Sequence, residues 1–325
     1  MLFCYFSTNS KTISVMRIKT GTVLRWAVAA LSLAFIGWKV YAQLSDGEPF
    51  ADCRPAFGPL LAAVALMPIN WLLETRKWQA LTSNLQQLTL WQSLKSVLSG
   101  LAVSMLTPNR VGDFAGRIAW LKPENRTAGT MSAFVGSCAQ MIAIALLGTL
   151  AFCLQPVLPD FLEWFGRHSA PTAAVLVILA AAACGAYFFI GALATRFRFS
   201  RWPWFERFVQ AAGQHTKGQL AIALLLSICR TAVFIFQLQL MLQSAGVDLA
   251  TAEAFRSIAL MYCFVSVIPS FALAEWGVRG SMALLFVAPL GGQPTQIVAA
   301  TIALWLVNVA LPAAMGAITT MFSRR

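Results

Sequence analysis

Between two short apolar runs the chain reads Thr107-Pro108-Asn109-Arg110-Val111-Gly112-Asp113-Phe114-Ala115-Gly116-Arg117, which sets two arginines and an acid where hydropathy places membrane depth. Charges at that depth are expensive and mark functional sites by default. A guanidinium offers phosphate oxygens a planar fork, so Arg110 and Arg117 suit a phosphate-bearing head group. A helix starting near Val111 would also aim its N-terminal amides at an anion. Arg230, in the middle of a later apolar run, is a third such cation. Asp113 and Arg117 are four residues apart, share a helix face and can neutralise each other. Arg110 and Arg230 have no such neighbour in sequence, and this argues against charges that serve only as structural glue.

The same pattern recurs downstream as Val265-Ser266-Val267-Ile268-Pro269-Ser270-Phe271-Ala272-Leu273-Ala274-Glu275-Trp276-Gly277-Val278-Arg279. Val103/Ser104 align with Val265/Ser266, Asp113 with Glu275, and Arg117 with Arg279, all without a gap. Pro108 and Pro269, and Gly116 and Gly277, differ by one place. The candidate substrate-binding set is therefore Arg110, Asp113, Arg117, Arg230, Glu275 and Arg279. Asp113 and Glu275 are also candidate proton carriers. Thr107, Pro108, Gly112, Gly116, Pro269 and Gly277 would shape the tips.

The elements that must carry these residues follow from composition. Of 325 residues 58% are hydrophobic and 11% charged, with mean hydropathy +0.70. A soluble domain carries about 25% charged residues. The expected class is an all-α polytopic membrane protein, a single integral membrane domain over residues 1–325. A β-barrel is excluded because its strands alternate with period two. Six spans are expected near residues 24–44, 57–73, 127–154, 170–194, 219–243 and 295–322. The first of these also has features of a signal peptide, although Lys39 interrupts its apolar end. Met16 resembles a natural start, with residues 1–15 weakly patterned. The segments 94–121 and 255–289 read as re-entrant helical hairpins, and the polar stretch 79–93 as an interfacial helix. Most of the net charge of +12 lies between apolar runs. This is the positive-inside pattern, not a nucleic-acid footprint, and it puts both chain ends in the cytoplasm of a cytoplasmic (inner) membrane protein. The basic, aromatic loop around Arg196 to Lys217 fits topology first and anionic lipid second. On this topology the unit 57–154 recurs inverted as 219–322, an architecture of secondary transporters.

Catalytic and metal-binding constellations are not expected. The seven cysteines form no CxxC, and His168 and His215 have no acid at useful spacing. No cofactor is implied.

Thr107-Pro108-Asn109-Arg110-Val111-Gly112-Asp113 with Gly116-Arg117 resembles the T-P-x-R-x-G-[DE] signature of the lysylphosphatidylglycerol synthase transmembrane (flippase-like) family. This is the membrane region of the multiple peptide resistance factor and its stand-alone relatives. Asn70-Trp71 and Lys77-Trp78 add to the likeness, which covers nearly the whole chain. The second hairpin departs from it, with Phe271-Ala272-Leu273-Ala274 where many relatives are glycine-rich. The resemblance implies a lipid-translocating module, and with the chain ending at Arg325 no aminoacyl-transferase domain is expected. The expected partners are membrane lipids with anionic head groups, with a homodimer as one oligomeric state. The expected function is movement of an anionic or modified phospholipid, or a polyprenyl-phosphate-linked glycan, between leaflets. A non-transporting assembly or accessory protein is the first rival, and an intramembrane head-group enzyme the second.

Overall fold

The computed structural model describes residues 56–105, 107, 111–154, 158–192, 212–268 and 272–322, together with 34, 38 and 41. The expected span 24–44 apart from those three residues, the segment 193–211, and Pro108, Arg110 and Pro269 lie outside the described residues. The described residues are mostly helix joined by short turns, with no strand among them.

Helix α1 (Phe57–Ala65) and α2 (Met67–Thr82) form one broken span. Pro68 sits in the first turn of α2, where its missing N–H is tolerated. The break at Leu66 is thus the kink that the proline predicts. The stretch 79–93 is not an interfacial helix. Its first residues complete α2, a turn follows, and α3 (Leu90–Ser104) begins earlier than its apolar run suggests. The Thr89 side chain accepts from Gln92 N–H while the Gln92 side chain accepts from Thr89 N–H, so a capping box fixes that start. A short α4 (Gly112–Ile118) and the long α5 (Arg126–Cys153) complete the first unit.

After α6 (Glu163–Arg167) and α7 (Ser169–Phe188) comes α8 (Lys217–Ser244), capped by Thr216 and Gln219 in the same way. Then follow α9 (Thr251–Val267), α10 (Ala272–Phe286), α11 (Pro294–Trp305) and α12 (Leu311–Phe322). A π-turn over Leu306–Ala310 joins the last two. Pro312, in the first turn of α12, cannot donate to the Asn308 carbonyl four residues back, and the helix widens just before it. Among the described residues five helices or helix pairs are long and apolar enough to cross a membrane: Phe57–Thr82, Pro123–Cys153, Ser169–Phe188, Lys217–Ser244 and Pro294–Thr320. Each overlaps one of the last five expected spans, with different bounds. The protein is an all-α polytopic membrane protein.

The order span, helix, helix, span occurs twice, and so does its packing. In the first unit α2 packs on α3, α3 on α4, α4 on α5, and α5 on α2. In the second α8 packs on α9, α9 on α10, α10 on α11, and α11 on α8. The units also exchange contacts: α3 lies against α12 of the second, and α9 lies against α5 of the first. The opening spans meet as α2 against α8. The largest apolar core lies among α8 to α11, around Met241, Ile258, Phe286 and Ile297. Helix α7 is peripheral, with Val175, Ile178 and Leu179 exposed on the outer surface, as lipid-facing residues are.

Candidate functional site

The close approach of α3 and α4 comes from glycines. A Cβ on Gly116 would stand 2.6 Å from the Gly100 Cα, so neither position has room for a side chain. A Cβ on Gly100 would also fall on the Asp113 carboxylate and lie 2.9 Å from Arg117 Cγ. The bare backbone of α3 thus makes the space in which Asp113 and Arg117 pair. The turn is pinned by Thr107, whose hydroxyl accepts from Gly112 N–H at 2.7 Å.

Asp113 and Arg117 pair as expected, with Arg117 Nε 3.0 Å from Oδ1 and Nη2 2.9 Å from Oδ2. The third face of the guanidinium is taken by a residue that the sequence reading missed. Arg117 Nη1 donates to Glu74 Oε1 at 2.7 Å. Glu74 Oε2 is 2.8 Å from Lys77 Nζ and 2.8 Å from Arg230 Nη1. Three cations from α2, α4 and α8 therefore converge on one buried carboxylate. Arg230, a mid-span cation with no acid at helical spacing in sequence, is thus paired through space. Its Nε donates to Asn70 Oδ1 at 2.7 Å, and its Nη1 lies 3.3 Å from Gln140 Oε1 on α5. Gln140 in turn donates to the Thr231 hydroxyl at 2.7 Å.

A neutral extension runs toward the second unit. Gln237, fully buried on α8, accepts from Asn308 Nδ2 at 2.8 Å and donates to the Ala63 carbonyl in the broken span. Asn70 lies 3.5 Å from the same Gln237 oxygen. The π-turn thus delivers Asn308 to a polar chain that ends at Arg230.

Glu275 and Arg279 form their own pair at 2.7 Å. They do not join the Glu74 cluster, so the two hairpins do not build one shared cation site among the described residues. The link between them is aromatic. Arg230 Cζ stands 5.0 Å from the Phe234 ring centre, Phe234 lies 6.2 Å from Tyr262, and Tyr262 is 5.8 Å from Arg279 Cζ. Two rings bridge two guanidinium groups, each within cation–π range. Arg279 and Tyr262 also line a small pocket with Leu238, Thr301 and Trp305. Gly277 is buried on α10 beside the pair.

Glu74 and Lys77 lie just past the apolar run 57–73, where charges at a membrane interface are ordinary. The available signal was spacing: Asn70, Glu74 and Lys77 recur at intervals of four and three, which puts all three on one face of α2.

No curated protein sequence matches this chain. A family model, the lysylphosphatidylglycerol synthase TM region, matches residues 22–316. That range contains both hairpins, the broken span bearing Glu74 and the span bearing Arg230, and the chain belongs to this family of membrane proteins.

Proposed function

We propose that the protein moves a phosphate-bearing lipid between the leaflets of the cytoplasmic membrane, with both chain ends cytoplasmic. The observation that carries this reading is the convergence of Lys77, Arg117 and Arg230 on Glu74 at the junction of the two units. The cost of burying such a group is high, and a purely scaffolding contact does not need three cations. Their donors match phosphate oxygens. The substrate class is an anionic or modified phospholipid, or a polyprenyl-phosphate-linked glycan. The family's name, which refers to lysylphosphatidylglycerol, supports a lipid with a phosphodiester in its head group. The two units, with reciprocal packing of α3 on α12 and α9 on α5, are an inverted pair that rocks about the site. A head group held at Arg230 reaches Arg279 along Phe234 and Tyr262.

The test is purified protein in vesicles with a panel of fluorescent lipids of different head groups. Wild type is expected to move phosphate-bearing lipids between leaflets. Arg230→Gln, which keeps polar contact with Asn70 but removes the charge, is expected to slow movement at least tenfold. Equal rates in the variant and wild type would overturn the assignment of Arg230. The saturation of Arg117 by Asp113 and Glu74 favours a second reading, an assembly subunit locked by its charges. Wild type that moves no lipid in the panel would favour that reading.

A further inference from the structure

Lys77, Arg117 and Arg230 face Glu74 and Asp113, so the cluster holds one positive charge in excess among the described residues. Arg117 is fully occupied, gripped by Asp113 through two contacts and by Glu74 through a third. Lys77 and Glu74 are closed off, with side chains 3% and 6% exposed. Arg230 is the cation that opens outward, at 20% against 10% for Arg117. The excess charge is therefore presented at Arg230. The second hairpin differs, because Glu275 and Arg279 pair with each other and cancel. The acids add a second constraint. Glu74, Asp113 and Glu275 are each already paired with an arginine. Among the described residues, then, neither hairpin offers an unmatched carboxylate to an ammonium group.

We propose that the site selects its lipid by net charge, taking a head group with one negative charge and no amine: a phosphodiester monoanion. This rests on the transport reading above and narrows its substrate class. A charge left uncompensated away from water is costly. A monoanion docked at Arg230 cancels the excess while Glu74 and Asp113 both stay ionised. A phosphomonoester carries about −1.5 to −2 charges at pH 7, which turns the excess into a deficit beside two carboxylates. An ethanolamine head group brings its own ammonium, so its phosphate arrives neutralised and the excess persists. A lysylated head group, net positive, adds to that excess. Selection thus comes from charge left unmatched with the wrong head group as much as from contacts to the right one. Two lipids share the favoured chemistry: phosphatidylglycerol, and a sugar joined to a polyprenyl chain through a single phosphate. A diphosphate link is disfavoured on the same ground as the phosphomonoester.

The experiment uses the full chain in phosphatidylcholine vesicles at about pH 8, where a phosphomonoester is a dianion. Each vesicle set carries a trace of one fluorescent lipid: phosphatidylglycerol, phosphatidylethanolamine, lysylphosphatidylglycerol or phosphatidic acid, all labelled on the acyl chain, or a labelled polyprenyl-phosphate-linked sugar. Wild type is expected to move at least one of the two monoanions about tenfold faster than the zwitterion, the cationic lipid and the dianion. Which monoanion moves identifies the source. Arg230→Gln, which brings the cluster to neutrality, is expected to lose the preference for the monoanion over phosphatidylethanolamine. Asp113→Asn, which raises the excess by one charge, is expected to shift preference toward phosphatidic acid. Wild type that moves the zwitterion, the cationic lipid or the dianion as fast as the monoanions would overturn the proposal and leave transport standing. So would a folded D113N protein with wild-type ratios. Wild type that moves no lipid would overturn the transport reading itself. The wild-type ratios decide alone if either variant does not fold.

Discussion

All three guanidinium nitrogens of Arg117 are engaged within the protein, and this changes what its mutation can teach. Replacing it by alanine leaves Asp113 and Glu74 buried without the cation between them. Breaking a buried pair in this way costs about 3–5 kcal/mol. Arg117→Ala is therefore expected to lose thermal stability in detergent, and lost transport in that variant says nothing about lipid. Arg117→Lys keeps the charge but not the fork that serves two carboxylates at once. It is expected to fold and to lose less stability than the alanine variant, as measured by thermal unfolding at matched detergent. An alanine variant as stable as wild type would show the cluster to be looser than its distances imply. The acid–arginine spacing of four made the Asp113–Arg117 and Glu275–Arg279 pairs legible in sequence. Their third partner was not legible for Arg117, because Glu74 lies 43 residues away and only the packing of α2 on α3 brings it near.

Among the elements, the contact between α3 and α12 is the one most exposed to a single substitution. Gly316 of α12 lies so near the Leu98 carbonyl of α3 that an added Cβ would overlap it. Close approach through small residues replaces the hydrophobic drive that lipid does not supply between helices. One turn on, Thr320 donates to the Ser99 hydroxyl at 2.9 Å, and Ser99 also accepts from Trp120 at 3.0 Å. Gly316→Val is expected to push α12 away from α3, lose that hydrogen bond and cost about 1–3 kcal/mol, the usual range for overpacking. Thermal unfolding checks the cost; an unaltered transition would mean that the helices part without penalty. Apolar length made the long helices of the described residues readable as candidate spans. The start of α3 at Leu90 was readable in principle from Thr89 and Gln92, yet polar composition hid it. The π-turn was not readable, since Pro312 announces a missing donor but not whether the helix breaks or widens to absorb it.

At the scale of the whole molecule, the two units touch reciprocally, each closing span lying against the other unit's hairpin. If rocking of the units carries the head group, one of these contacts must shear in every cycle. Ser99 and Thr320 offer a way to stop it, because their hydroxyls are already 2.9 Å apart across the unit boundary. Hydroxyls this close put the two Cβ atoms near the separation of about 3.5–4.5 Å that a disulfide takes. A Ser99→Cys/Thr320→Cys double variant, in a background without the native cysteines, should cross-link on mild oxidation. Cross-linked protein in vesicles is expected to lose lipid movement, and a thiol reductant is expected to restore it. The two single variants, treated alike, control for the loss of the hydroxyl pair. If the fully cross-linked protein moved lipid at the reduced protein's rate, α3 and α12 would form one rigid body. The moving boundary would then have to lie at α9 against α5, the matching contact on the other side of the pair.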